Sequence, residues 1–150
     1  MNGTVSGSRE GNSIWTVPKV GRGVLTLRFD VEAEHLSVIR RILGDVLEWW
    51  GIDPDVQERL VTAVNELLSN VLEHTEPDLN GCHIAELRIQ LVPGGISAVV
   101  GDRDDRVPAP RPVSSLAEAG RGLTLVRALV DEMNVTRRLS GKDIWVFVAA

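Results

Sequence analysis

Residues 53–74 read DPDVQERLVTAVNELLSNVLEH. Asp53-Pro54 opens a helix: aspartate supplies a side-chain acceptor for the free N–H groups of the first turn, and proline fits the first helical position. Val56, Leu60, Val64, Leu67 and Val71 recur at helical spacing, so one apolar face runs to about residue 74. Upstream, Leu36, Ile39, Leu43, Val46 and Trp50 form a second such face, which Gly51 stops. Before it, Val24 to Phe29 alternates in the manner of a strand. Downstream, Pro77 to Gly81 reads as a turn. Ile84 to Val92 and Ile96 to Val100 read as two strands around Pro93-Gly94-Gly95. Residues 102–120 form a long loop rich in proline and charge. Leu123 to Met133 is helical by its apolar spacing, and Val135 to Leu139 and Ile144 to Val148 close the chain as a hairpin around residues 140–143. Strands joined by hairpins and helices in runs predict an α+β fold: a two-layer α/β sandwich, with helices on one face of a mostly antiparallel sheet.

The composition agrees with a single folded domain: 150 residues, 43% hydrophobic and 25% charged. The net charge is −5, and neither half of the chain is basic, which argues against a direct nucleic-acid surface. The lone cysteine, Cys82, excludes an internal disulfide and a cysteine-rich metal site. No apolar run approaches the roughly 20 residues that cross a bilayer, and the polar start of the chain lacks the apolar core of a signal peptide. No membrane association and a cytoplasmic location are expected. Residues 1–20, rich in glycine and serine, read as a flexible tail, and residues 21–150 as the domain. Ile14, Trp15 and Val17 are the apolar exception in that tail and could add an edge strand. Trp49 and Trp50, at the end of the first long helix, leave a homodimer open.

Three features carry chemistry. Glu66, Asn70 and His74 are four residues apart and follow one another along a single helix face, bordering the apolar stripe. A solvated helix edge is the ordinary reading of such a line; the wall of a pocket is the functional one. Asp102 directly follows a strand and opens the long loop, where an ionised carboxylate could accept a hydrogen bond from the exocyclic amine of a purine. Gly120-Arg121-Gly122-Leu123-Thr124 leads into a helix; its glycines allow close backbone approach, and the free N–H groups of a helix start suit a phosphate. It is neither a Rossmann fingerprint nor a P-loop.

Taken together, these segments resemble the GHKL superfamily of ATPases and kinases with the Bergerat nucleotide-binding fold. The closest likeness is to its small stand-alone branch, the bacterial anti-sigma factors that are also serine/threonine kinases. Glu66 to His74 resembles the N box of that branch, Val99-Val100-Gly101-Asp102 its first glycine-box strand, Gly120 to Val126 its second glycine box, and Gly141 to Val146 its last hairpin. The likeness spans about residues 20–150.

The resemblance implies a histidine kinase-like ATP-binding domain that uses ATP and Mg²⁺. Asn70 would hold the Mg²⁺, and Glu66 would be the general base. Asp102 would bind the adenine amine. Gly120, Arg121, Gly122, Leu123 and Thr124 would wrap the phosphates, with His74 also at the nucleotide site and residues 103–119 as the lid. The implied partners are a small anti-anti-sigma antagonist, which is the phosphoryl acceptor, and a sigma factor. One departure motivates a second reading. Asp102 is followed by Arg103, Asp104, Asp105 and Arg106, with no glycine before Gly120. The second reading is therefore a partner-binding anti-sigma switch without kinase activity.

Overall fold

The computed structural model describes residues 19–102, 123–139 and 141–150. Strands β1 (Lys19–Gly21) and β2 (Val24–Asp30) precede helices α1 (Ala33–Trp49) and α2 (Pro54–His74). Strands β3 (Ile84–Val92) and β4 (Gly95–Asp102) follow. Residues 123–129 are helical (α3), and β5 (Glu132–Arg137) and β6 (Lys142–Ala149) complete the sequence of elements. The six described strands form one sheet in the order β1-β2-β3-β4-β6-β5, with every neighbouring pair antiparallel. The fold is the expected α+β two-layer sandwich. The sheet starts at Lys19, inside the segment read as tail.

Register explains the layering. Leu27 lies opposite Leu87, Leu87 opposite Val100, and Val100 opposite Ile144, so all four share one face. Leu25, Ile89, Ala98 and Val146 form a second row on that face, and both rows are buried. The rows join Ile39, Leu43 and Leu47 of α1 and Leu60, Val64, Leu67 and Leu68 of α2 in a single core. Helix α2 packs over β4 and β6. The opposite face carries Thr26, Arg88, Val99 and Trp145 in one register row, with the Trp145 and Phe147 rings stacked at 6.3 Å. Leu68 is fully buried in the core. Leu68→Ala is expected to cost about 2–5 kcal/mol of stability, combining lost burial and a residual cavity. A denaturant titration with an unchanged slope reads this directly.

The helix ends follow local rules. Asp53 caps α2 by accepting from the Asp55 N–H at 2.9 Å, with Pro54 at the first position. Helix α1 stops in a Schellman turn: Gly51, at φ 73°, donates to Glu48, and Ile52 donates to the Leu47 carbonyl at 3.0 Å. Trp50 packs against the core while Trp49 stays 65% exposed.

Several boundaries differ from the sequence expectation: β4 runs Gly95–Asp102, so Asp102 ends the strand instead of following it, and β5 starts at Glu132 rather than Val135. Helix α3 ends at residue 129, not at Met133, because Glu132 and Met133 pair with Phe147 and Val146 in the sheet. Long-range contacts fix that change of direction. Arg59 of α2 donates to the Leu129 carbonyl at 2.8 Å, and the Asp131 carboxylate accepts from the Ala149 N–H at 2.7 Å. Arg137 pairs with Lys142 and Thr136 with Asp143, so Lys142 and Asp143 belong to β6 and not to the turn.

Candidate functional site

The antiparallel order brings several strand ends to one edge of the molecule. Strand β2 ends at Asp30 and β4 at Asp102, while β3 starts at Ile84 and β6 at Lys142. The C-terminal half of α2 runs over that edge. Between them the described residues leave a shallow, open cleft. Leu67, Val71, Val100 and Ile144 form its apolar walls, and Asn70, Thr75, Asp102 and Lys142 its polar groups. Apolar walls with a few convergent polar side chains are the usual make-up of a small-molecule site.

Asp102 faces the cleft because of strand periodicity. Ile96, Ala98 and Val100 point into the core, and Asp102 takes the next inward position, where the sheet ends. It is only 3% exposed. A buried carboxylate is costly unless it is hydrogen-bonded; here the backbone N–H of Lys142 donates to Asp102 Oδ1 at 2.8 Å. Gly141 presses against the same carboxylate. It sits at φ 90°, and a Cβ there would fall 2.1 Å from Asp102 Oδ1 and 2.4 Å from the Asp102 carbonyl oxygen.

The other sequence-selected residues distribute unevenly. Asn70 lines the cleft, and Glu66 is half-buried one helical turn before it on α2. His74 is exposed, lies 3.8 Å from the Glu73 carboxylate and does not line the cleft. Leu123 packs against the core and Thr124 is exposed at the start of α3. Gly120, Arg121, Gly122 and the expected lid at residues 103–119 lie outside the described residues.

Two cleft residues escape sequence reasoning. Thr75 caps α2, so it leaves the four-residue spacing that singles out its neighbours; its hydroxyl donates to the Val71 carbonyl and lies 3.2 Å from His83 Nδ1. Lys142 contributes a backbone N–H, which residue type does not reveal.

Cys82 sits in the loop between α2 and β3, with its N–H held by the Asp78 carboxylate at 2.9 Å. Burial pushes its thiol above the usual range, and the charges of Asp30 and Asp78 push it further. Thiolate is the reactive form, so Cys82 is expected to react with a disulfide reagent only after unfolding. A reaction time course at neutral pH, with and without denaturant, checks this; rapid native-state labelling would contradict it.

Comparison with known proteins fits this geometry. The family model described as "Histidine kinase-like ATPase domain" matches residues 29–147. A protein of Staphylococcus aureus named serine-protein kinase RsbW is 27% identical over 123 residues, covering 74% of this chain and 77% of that protein. Among solved structures, the RsbU and RsbW domains of a Mycobacterium tuberculosis protein match with a TM-score of 0.66 at 20% identity. That match covers 84% of this chain and 32% of the other. The SiaB–SiaC complex of Pseudomonas aeruginosa matches with a TM-score of 0.60 at 16% identity, over 85% of this chain and 90% of the other. The chain spans about a third of the length of the mycobacterial one, and at these identities both structures speak for the fold alone. With β3, β4, β5, most of β6 and both long helices inside the family match, the chain belongs to the histidine kinase-like ATPase domain family.

Proposed function

We propose that the protein is an ATP-dependent serine/threonine kinase of the anti-sigma type, which phosphorylates a small anti-anti-sigma antagonist and has a sigma factor as its other partner. The observation that carries this reading is the pairing, in one cleft, of a buried hydrogen-bonded carboxylate with an amide side chain, Asp102 with Asn70. The family match and the likeness to a protein named a serine-protein kinase support it.

The residues of the cleft fit a purine nucleotide and a hard cation. Its apolar walls suit the flat face of a base, and Asp102, when ionised, only accepts hydrogen bonds. The amide oxygen of Asn70 is the kind of hard ligand that Mg²⁺ prefers. Bound ATP supplies the phosphoryl group and Mg²⁺ spreads its charge. Asn70 would hold the cation. Glu66, one turn away on the same helix, takes the proton of the acceptor's hydroxyl and orients its oxygen. Asp102 accepts from the amine of adenine. Gly120, Gly122 and the backbone up to Thr124 would take the phosphates, as the family resemblance implies. No helix among the described residues is long and apolar enough to cross a membrane, and the reading places the kinase with its partners in the cytoplasm.

The test is direct. The full chain is incubated with Mg²⁺-ATP and a small antagonist protein of the same source, and the antagonist is weighed by intact-mass spectrometry. One added phosphoryl group on a serine or threonine is the expected result. Nucleotide binding with an unmodified antagonist would contradict the kinase reading and leave the partner-binding switch, which the loop after Asp102 motivates.

A further inference from the structure

A carboxylate on a single side chain is a poor selector of bases if it can turn about its own torsions, because a rotated group meets other hydrogen-bond patterns at little cost. Asp102 is not free to turn. The β4–β6 ladder ends at the pair Gly101 and Asp143. One residue beyond that pair, the Lys142 N–H leaves the ladder and donates to Asp102 Oδ1 at 2.8 Å. On the other side the backbone of Gly141 lies so close that a Cβ would stand 2.1 Å from that oxygen. The left-handed conformation at Gly141, φ 90°, is what aims the next N–H at the carboxylate.

We propose that Gly141 and the backbone N–H of Lys142 form a clamp that sets the base specificity of the cleft, fixing Asp102 to select a 6-aminopurine and reject a 6-oxopurine. This rests on the nucleotide reading above and goes beyond it by assigning selectivity to the turn before β6. The chemistry is one of sign. The Lys142 N–H fixes one oxygen of the Asp102 carboxylate as an acceptor. A clamped acceptor pairs with an amino group and opposes a carbonyl oxygen. Gly141 and Lys142 are positioning residues; they act through Asp102.

The experiment compares Mg²⁺-ADP with Mg²⁺-IDP, which share ribose and phosphates and differ at the 6-position of the base, by calorimetry on the full chain. The wild type is expected to prefer ADP by about 30-fold, the scale of one mismatched buried polar contact. Gly141→Ala inserts the Cβ, and Lys142→Pro removes the N–H at the first residue of a strand, a place that tolerates proline. Both are expected to lower ADP affinity at least about 10-fold while IDP affinity stays within about 3-fold, so that the preference collapses. Lys142→Ala keeps the N–H and is expected to keep the preference, whatever it does to both affinities together. In an Asp102→Ala background, Gly141→Ala is expected to change the preference no further, as two members of one device should behave. Thermal melts establish that each variant is folded; Lys142→Pro carries the test if Gly141→Ala does not fold. A wild type that binds ADP and IDP equally overturns the clamp. So do folded Gly141→Ala and Lys142→Pro variants that bind ADP with the preference intact, and in both cases the nucleotide reading survives. A wild type that binds neither overturns both.

Discussion

Glu66→Gln is expected to lower phosphoryl transfer by about 10²–10⁴-fold, the range that a positioned general base contributes, with nucleotide affinity nearly unchanged. The substitution keeps side-chain length and hydrogen-bonding ability and removes only the ability to take a proton. Glu66 is half-buried on α2 and is not among the residues lining the cleft, whereas Asn70, one turn further on, is. On the proposed reading, a bound nucleotide would meet Asn70 and Asp102 directly, and Glu66 would reach only the acceptor hydroxyl. The checks are single-turnover transfer to the antagonist and a parallel ATP titration. A variant that loses both activities together would give Glu66 a binding role; one that keeps full transfer would remove it from the reaction.

Asn70→Ala is expected to weaken Mg²⁺-dependent ATP binding at least about 10-fold, since it deletes the oxygen that would ligate the cation. It should not unfold the protein. Asn70 is partly exposed, and its helix is held by Leu67, Leu68 and Val71 on the buried side. The informative comparison is affinity with and without Mg²⁺. In the wild type, removing the metal should weaken binding; in the variant, it should make little difference. An Asn70→Ala protein that remains as Mg²⁺-sensitive as the wild type would place the cation elsewhere.

Much of the architecture is legible because its signals are local. Asp53-Pro54 and the apolar spacing from Val56 to Val71 delimit α2, and the helix indeed runs from Pro54 to His74. Strand β3 spans Ile84–Val92, as its alternation predicts. The first long helix is harder. Leu47 is fully buried and His35 nearly so, although neither belongs to the apolar face read from the sequence; the buried face of α1 runs through His35, Ile39, Leu43 and Leu47, with Leu36, Val46 and Trp50 only partly buried beside it.

The boundary near residue 130 is not legible locally. Leu129, Val130 and Met133 suit a helix or a strand equally, and the choice is made by Arg59, Asp131 and β6, which are distant in sequence or contribute backbone atoms. The cleft shows the same division. Asn70 and Asp102 stand out by residue type and position, and both line it. The Lys142 N–H and the missing side chain of Gly141 are features of backbone geometry, and Thr75 depends on the residue at which α2 ends. Residue type alone carries none of these.

The central claim is that the cleft under α2 holds ATP together with Mg²⁺. Calorimetric titration of ATP into the full chain, with Mg²⁺ and then with a chelator, tests it most directly. Saturable one-site binding that depends on Mg²⁺ is the predicted result. A folded protein that takes up no ATP at millimolar concentration, with the metal present, would contradict it.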